Sequence, residues 1–105
     1  MQSDLWFALY KLGEVKVRLG DTAAARDVYG EALPIIRELA AADPGNAQRQ
    51  TNLVSTLYAA ASVEDGSVRE RALKEALTIL ERLQQEGRLA PEQLGWPDLI
   101  RKLLR

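Results

Sequence analysis

The chain has no cysteine and no histidine among its 105 residues, and only one phenylalanine. Without cysteine there is no disulfide framework and no thiolate chemistry. Without histidine the commonest metal ligand and general base is missing. Charge of one sign is missing as well: 14 Lys and Arg stand against 15 Asp and Glu. No net field therefore exists to hold a polyanion, which argues against a nucleic-acid partner. No apolar run approaches the ~18 residues needed to cross a bilayer, and the N-terminus MQSDLWF lacks the basic, apolar and small-residue order of a signal peptide. A cytoplasmic protein with no membrane attachment is the expectation. The glycines are scattered as stops and caps and form no phosphate-binding loop.

What remains to do chemistry is sparse. Glu64 and Asp65 are adjacent carboxylates, but they fall in a turn and have no companion base, so they read as solvated loop charges. Asp43 and Asn46 flank a glycine in DPGN, yet the spacing to any distal glutamate does not fit a calcium loop. No catalytic residue, cofactor or metal site is expected, and the chain reads as non-enzymatic.

The dominant positive signal has a helical period. Leu5, Leu9, Leu12 and Leu19 mark one stripe, and Trp6, Phe7, Tyr10 and Val17 add apolar surface beside it. Gly20 supplies a stop and Asp21 a cap for a second helix, whose face is Ala25, Val28, Tyr29, Ala32, Ile35, Ile36 and Leu39 and which runs to about residue 42. DPGN at 43–46 is the clearest break. A third helix carries Leu53, Val54, Leu57, Tyr58 and Ala61 up to a turn at 64–66. Ser67 and Glu70 have the spacing of a capping box at the start of a fourth, which buries Leu73, Ala76, Leu77, Leu80 and Leu83 and ends at Gly87. Pro91 and Pro97 suit the first turns of a short helical turn at 91–94 and a terminal helix at 97–104. In that terminal helix Trp96, Leu99, Ile100 and Leu103 are expected to fold onto the fourth, with Arg101, Lys102 and Arg105 facing water. Glu14/Arg18 and Glu70/Lys74 have the order of surface i,i+4 pairs.

Two helices repeat one phrase. YGEALPIIREL at 29–39 and LKEALTILERL at 73–83 share Glu31/Glu75, Ala32/Ala76, Leu33/Leu77, Ile35/Ile79 and Leu39/Leu83. The first and third helices match at Leu5/Leu53, Leu9/Leu57 and Tyr10/Tyr58, an offset of 48 against 44 for the second pair. The turn at 64–66 is thus about four residues shorter than its counterpart at 20–21. Duplication of a helical hairpin is the reading. Pro34 removes one amide inside the first copy, but the apolar face continues through Ile35, Ile36 and Leu39, so a kinked, continuous helix is expected, with a hinge as the alternative.

Leu12-Gly13, then Ala25, Tyr29 and Ala32, resembles the small and aromatic spacing of the tetratricopeptide repeat family. The resemblance covers about residues 4–86. Leu9 stands where the pattern has tryptophan, Lys16 where it has tyrosine, and Pro44 comes about seven residues late, which is similar to the long repeats of kinesin light chains and certain bacterial signalling proteins. In the second copy Ala61 replaces Gly13 and Arg69 replaces Ala25, so that pair is expected to cross less closely.

The resemblance implies an all-α fold of antiparallel helical-hairpin repeats, an α-solenoid fragment forming one domain over 1–105. Repeat one would cover about 3–42, repeat two about 45–86, and a C-terminal cap about 91–105. It implies a scaffold or protein-interaction module within a larger protein, holding a peptide or helix on the surface lined by the first helices of each hairpin. By position the groove residues are Phe7, Tyr10, Glu14, Val17 and Arg18 from the first helix, and Ser55, Tyr58 and Ser62 from the third; Tyr10 and Tyr58 have filling of the inter-helix seam as the alternative. Tyr10 and Glu14 stand where chaperone-tail binders carry a carboxylate clamp, which argues against that class of ligand. Only Met1 to Asp4 precede Leu5, so a preceding turn is expected to be missing and the chain to be cut from a longer array. Two repeats and a cap are fewer than the three normally needed for a stable solenoid. An unpaired first helix would then expose Trp6 and Phe7 to drive a homodimer; the alternative places both in the core.

Overall fold

A computed structural model describes residues 2–105; Met1, which enters the expectation of a missing N-terminal turn, lies outside them. The described residues form five α-helices: α1 (Gln2–Arg18), α2 (Thr22–Ala42), α3 (Ala47–Ser62), α4 (Gly66–Gln85) and α5 (Trp96–Leu103), with a single 3-10 turn at Pro91–Gln93 before the last. The all-α class and the helix boundaries follow the periodicity closely.

The punctuation has clear local causes. After α1, Gly20 takes φ 79°, and the Asp21 amide donates back to the Lys16 carbonyl at 2.9 Å while Gly20 donates to Val17 at 3.0 Å. This left-handed closure satisfies carbonyls that the helix end leaves open, and glycine adopts it without a steric penalty. Asp21 then accepts from the Ala24 amide at 3.1 Å and caps α2, and Asn46 caps α3 in the same way through Arg49. The capping box expected at Ser67 does not form. The bond from the Arg69 amide to the Asp65 carbonyl starts α4 two residues earlier, with Asp65 at the cap position making no side-chain bond. Glu70 turns forward to Lys74, 2.7 Å away, so its carboxylate is not available to an amide behind it.

Helix α2 runs unbroken through Pro34. The proline itself is exposed, whereas Ala32, Ile36 and Ala40 on the opposite side are buried, so packing of that side holds the helix together across the missing bond.

Consecutive helices pack against each other in antiparallel pairs. Gly13 of α1 faces Tyr29 of α2 so closely that a Cβ at Gly13 would stand 2.6 Å from Cζ of the ring. At the next junction Arg49 and Gln50 donate to the Leu39 and Ala40 carbonyls at 2.9 and 3.2 Å, satisfying the C-terminal acceptors of α2 from the start of α3. Buried Gln50 also accepts from Arg82 of α4 at 3.1 Å. Arg88 reaches the Gly45 carbonyl and ties the segment after α4 to the DPGN turn.

The main core lies between α2, α3 and α4, with Ile36, Leu57, Leu73, Leu80 and Leu83 almost fully enclosed, and it extends to Trp6 and Ile100 at the two ends. Its asymmetry corrects the expected stripe on α1. Only Trp6 and Gly13 are buried there; Leu5, Leu12 and Leu19 are exposed and Leu9 is half-buried. Helix α3, flanked by α2 and α4, buries residues on both sides, whereas α1 packs chiefly against α2 and reaches α3 through Trp6. In α5 Ile100 is buried and Trp96 and Leu103 are half-buried, but Leu99, expected to face α4, is exposed beside the groove described next.

Candidate functional site

The sequence-derived groove residues fall along the side of the molecule where α1 lies next to α3. Tyr10, Glu14, Val17 and Arg18 from α1 and Tyr58 and Ser62 from α3 line one open hollow of about 430 Å³, together with Lys11, Tyr29 and Ala59. Six of the eight candidates are therefore neighbours. Ser55 lies one turn further along α3 and lines an adjoining hollow of about 230 Å³ with Tyr10, Val54, Tyr58, Leu80, Trp96, Leu99 and Ile100. Tyr10 and Tyr58 belong to both hollows, so the two form one trough. Phe7 borders neither. It is half-exposed, with its ring 6.0 Å from Trp6 and the Lys11 ammonium 5.4 Å from its centroid.

The trough has an aromatic floor. Tyr10 stands 5.7 Å from Trp6 and 6.3 Å from Tyr29, centroid to centroid, a chain of tilted rings linking the trough surface to the interior. Tyr58, by contrast, is 43% exposed. The seam-filling alternative thus applies to Tyr10, which is half-buried, and not to Tyr58. Burial, and then the Glu14 carboxylate, hold the Tyr10 phenol above its ordinary value, so the ring presents a neutral hydroxyl. Tyr29 is shifted the same way by burial, then by Tyr10 and Glu14.

Several charges differ from expectation. Glu14 pairs with Lys11 at 3.1 Å instead of Arg18, because Lys11 one turn back reaches it first. Glu64 is not a free loop charge: Arg26 of α2 lies 3.1 Å from its carboxylate and also donates to the Val63 carbonyl, at 3.3 Å from Nε and 3.2 Å from Nη2. Arg69, where the first copy has Ala25, donates to Leu103 at the end of α5 at 3.3 Å, which gives the substituted position a role of its own.

Trp6 also departs from the exposed placement. It is 8% exposed, and its indole Nε1 donates to the Thr56 hydroxyl at 2.9 Å, while that hydroxyl donates to the Asn52 carbonyl at 2.8 Å. A partner within α3 satisfies the one polar atom of the ring, so the indole is part of the core.

Trp96 and Leu99 were not among the sequence-derived groove residues. Their signal was present in the amphipathic terminal helix, but that helix was expected to cap α4 alone, and only its placement beside α3 brings its edge to the trough. No group of three or more acidic, cysteine or histidine ligands comes together among the described residues. No helix among them is long and apolar enough to cross a membrane. Compared with family models, with curated proteins and with solved structures, the chain matches none.

Proposed function

We propose that the chain is a tetratricopeptide-like interaction module that holds a peptide or helix of a partner protein in the trough between α1 and α3, and that it performs no catalysis. The observation that carries this reading is the convergence of Tyr10, Glu14, Val17, Arg18, Tyr58 and Ser62 on one hollow. The positions come from two segments 48 residues apart and were chosen by their place in a repeat.

Repetition of the hairpin has independent support in the contacts. Arg26 meets Glu64 and Arg37 meets Glu75, the latter through two hydrogen bonds of 2.7 and 3.2 Å, so α2 runs alongside α4 in one direction. Tyr29 and Leu73, Ala32 and Ala76, and Ile36 and Leu80 are equivalent in the two copies and buried in both. The step from α2 to the end of α3, made by Arg26, has a parallel in the step from α4 to the end of α5, made by Arg69. Helix α5 thus takes the place a third first-helix would have, and its Trp96 and Leu99 close one end of the trough.

Rigid aromatic rings suit such a surface because they contribute contact area at low entropic cost. A ligand with a large apolar side chain seated between Tyr58 and Trp96, and a mixed-charge flank facing Lys11, Glu14 and Arg18, matches the lining. The test is selection of binding peptides from a displayed random library, followed by titration against wild type, Tyr58→Ala and Phe7→Ala. Tyr58→Ala should weaken the selected peptides at least tenfold, about 1.4 kcal/mol, and Phe7→Ala should leave them unchanged. Equal affinity of wild type and Tyr58→Ala for every selected peptide would remove the trough as the site.

A further inference from the structure

The outer side of α1 carries an apolar row that none of the other described residues covers. Leu5, Ala8, Leu12, Val15 and Leu19 follow one another at spacings of three and four, which puts them on a single stripe, and all five are exposed, Leu19 at 72%. The positions equivalent to the first four are Leu53, Thr56 and Ala60 of α3 and Val63 at its C-cap, and all four are buried, while the counterpart of Leu19 is the exposed Ser67; Ala60 and Val63 pack on Ala25 and Tyr29 of α2. The same row therefore receives a helix elsewhere in this chain.

We propose that the row on α1 receives the α1 of a second copy, packed antiparallel about a two-fold axis near Leu12. Two features select a copy of this chain in that orientation. The leucines at 5, 12 and 19 are evenly spaced about Leu12, so a reversed neighbour brings leucine onto leucine along the whole row. The charges beside the row are polarised, with Asp4 at one end and Lys16 and Arg18 at the other. Reversal sets Asp4 of each copy near Arg18 of its mate, whereas a parallel arrangement sets like charge on like. Lys11, which falls near its own mate at the axis, is already paired with Glu14. Such an interface is isologous and closes at two subunits. The trough lies on the α3 side of α1 and shares only Lys11 and Arg18 with the flank of this interface.

A single helix of 17 residues offers a strip about 25 Å long and ~10 Å wide, about 250 Å², less than the ~800 Å² per partner of a standard interface. The dimer is accordingly weak and dependent on concentration. Sedimentation equilibrium should show the mass rising from monomer to dimer as the chain is concentrated to about 1 mM. A monomer throughout that range overturns the proposal. Leu12 is exposed, so Leu12→Glu should keep the helical circular dichroism and melting midpoint of the monomer while abolishing the dimer; a Leu12→Glu chain that still dimerises overturns the face assigned. Tyr58→Ala should dimerise as wild type does, which separates this surface from the trough. The absence of cysteine makes orientation testable. Under mild oxidation an equimolar mixture of Leu5→Cys and Leu19→Cys should give the mixed disulfide in several-fold excess over either homodimer, and preferential Leu5→Cys homodimer overturns the antiparallel arrangement.

Discussion

Gly13 and Tyr29 set how closely α1 approaches α2. The Tyr29 ring lies over the glycine where any Cβ would collide with it, and the ring is 2% exposed, so it has little room to retreat. Gly13→Ala should therefore destabilise the fold by about 1–3 kcal/mol despite alanine's better helix propensity. Urea unfolding checks this, and an unchanged or raised midpoint would contradict the close approach. The same pair of helices gives a pH signature. The Tyr10 and Tyr29 phenols are both held above their ordinary value of 10.0, chiefly by burial. Between the unfolded and folded values the unfolded chain has released these protons while the native chain keeps them, so native binds more. Stability is then full below about pH 10 and falls as pH rises through the folded values. Comparison of wild type with Tyr10→Phe at about pH 9 and 11 isolates the contribution, because lysine titration is common to both. The substituted chain should lose less stability over that interval, and equal losses would show that Tyr10 does not take part.

At the scale of the element, α2 is a helix with a local defect that burial overrides. Pro34 leaves the Gly30 carbonyl without its helical donor, and Pro34 is exposed, so nothing in the core requires its ring. Pro34→Ala should raise stability by up to about 3 kcal/mol, read as a higher melting midpoint; a lower one would mean that the proline's constraint on the backbone is needed for α2 to reach both α3 and α4. The legibility of the helices in the sequence follows from the same physics. Gly20, Asp21, DPGN and Gly87 act locally, through φ and side-chain acceptors, and their effects were readable from the residues next to them. The buried faces of α2, α3 and α4 were readable because each repeats at helical spacing. The stripe on α1 was not, since Leu5 and Leu53 are the same leucine in the two halves, and only the flanking of α3 by both α2 and α4 buries the second. The Ser67 box failed for a comparable reason: Glu70 had two possible partners, and Lys74 won. Of the hollows' lining, the candidate residues on α1 and α3 were reached by aligning the two halves of the sequence, whereas Trp96 and Leu99 required knowledge of where α5 docks.

For the whole molecule, stability should grade outward from the middle. Helix α3 has neighbours on both sides and buries Gln50, Thr51, Leu53, Val54, Thr56, Leu57, Ala60 and Ala61. Helix α1 buries two residues, and α5 has eight residues in all, fewer than the ~12–15 at which an isolated helix becomes even marginal. Ile100, 2% exposed, is the larger of the two buried side chains that anchor α5, the other being Pro97, with outer support from Arg101 through Glu81 at 3.0 Å and from Arg69 through the Leu103 carbonyl. The Arg101 pair is exposed and screened by solvent, so the apolar contact decides. Native-state amide exchange should find the α3 amides around Leu57 opening only with global unfolding, and the amides at the end of α5 opening well below that free energy. Ile100→Ala removes the anchor and should cost about 2–5 kcal/mol of the contact between α5 and the rest. If α5 already opens separately, that loss appears in its own exchange and in the fluorescence of Trp96, while the α3 amides keep most of their protection. Equal loss of protection in α3 and α5 would instead make α5 an integral part of one cooperative unit, and the graded reading would have to be given up.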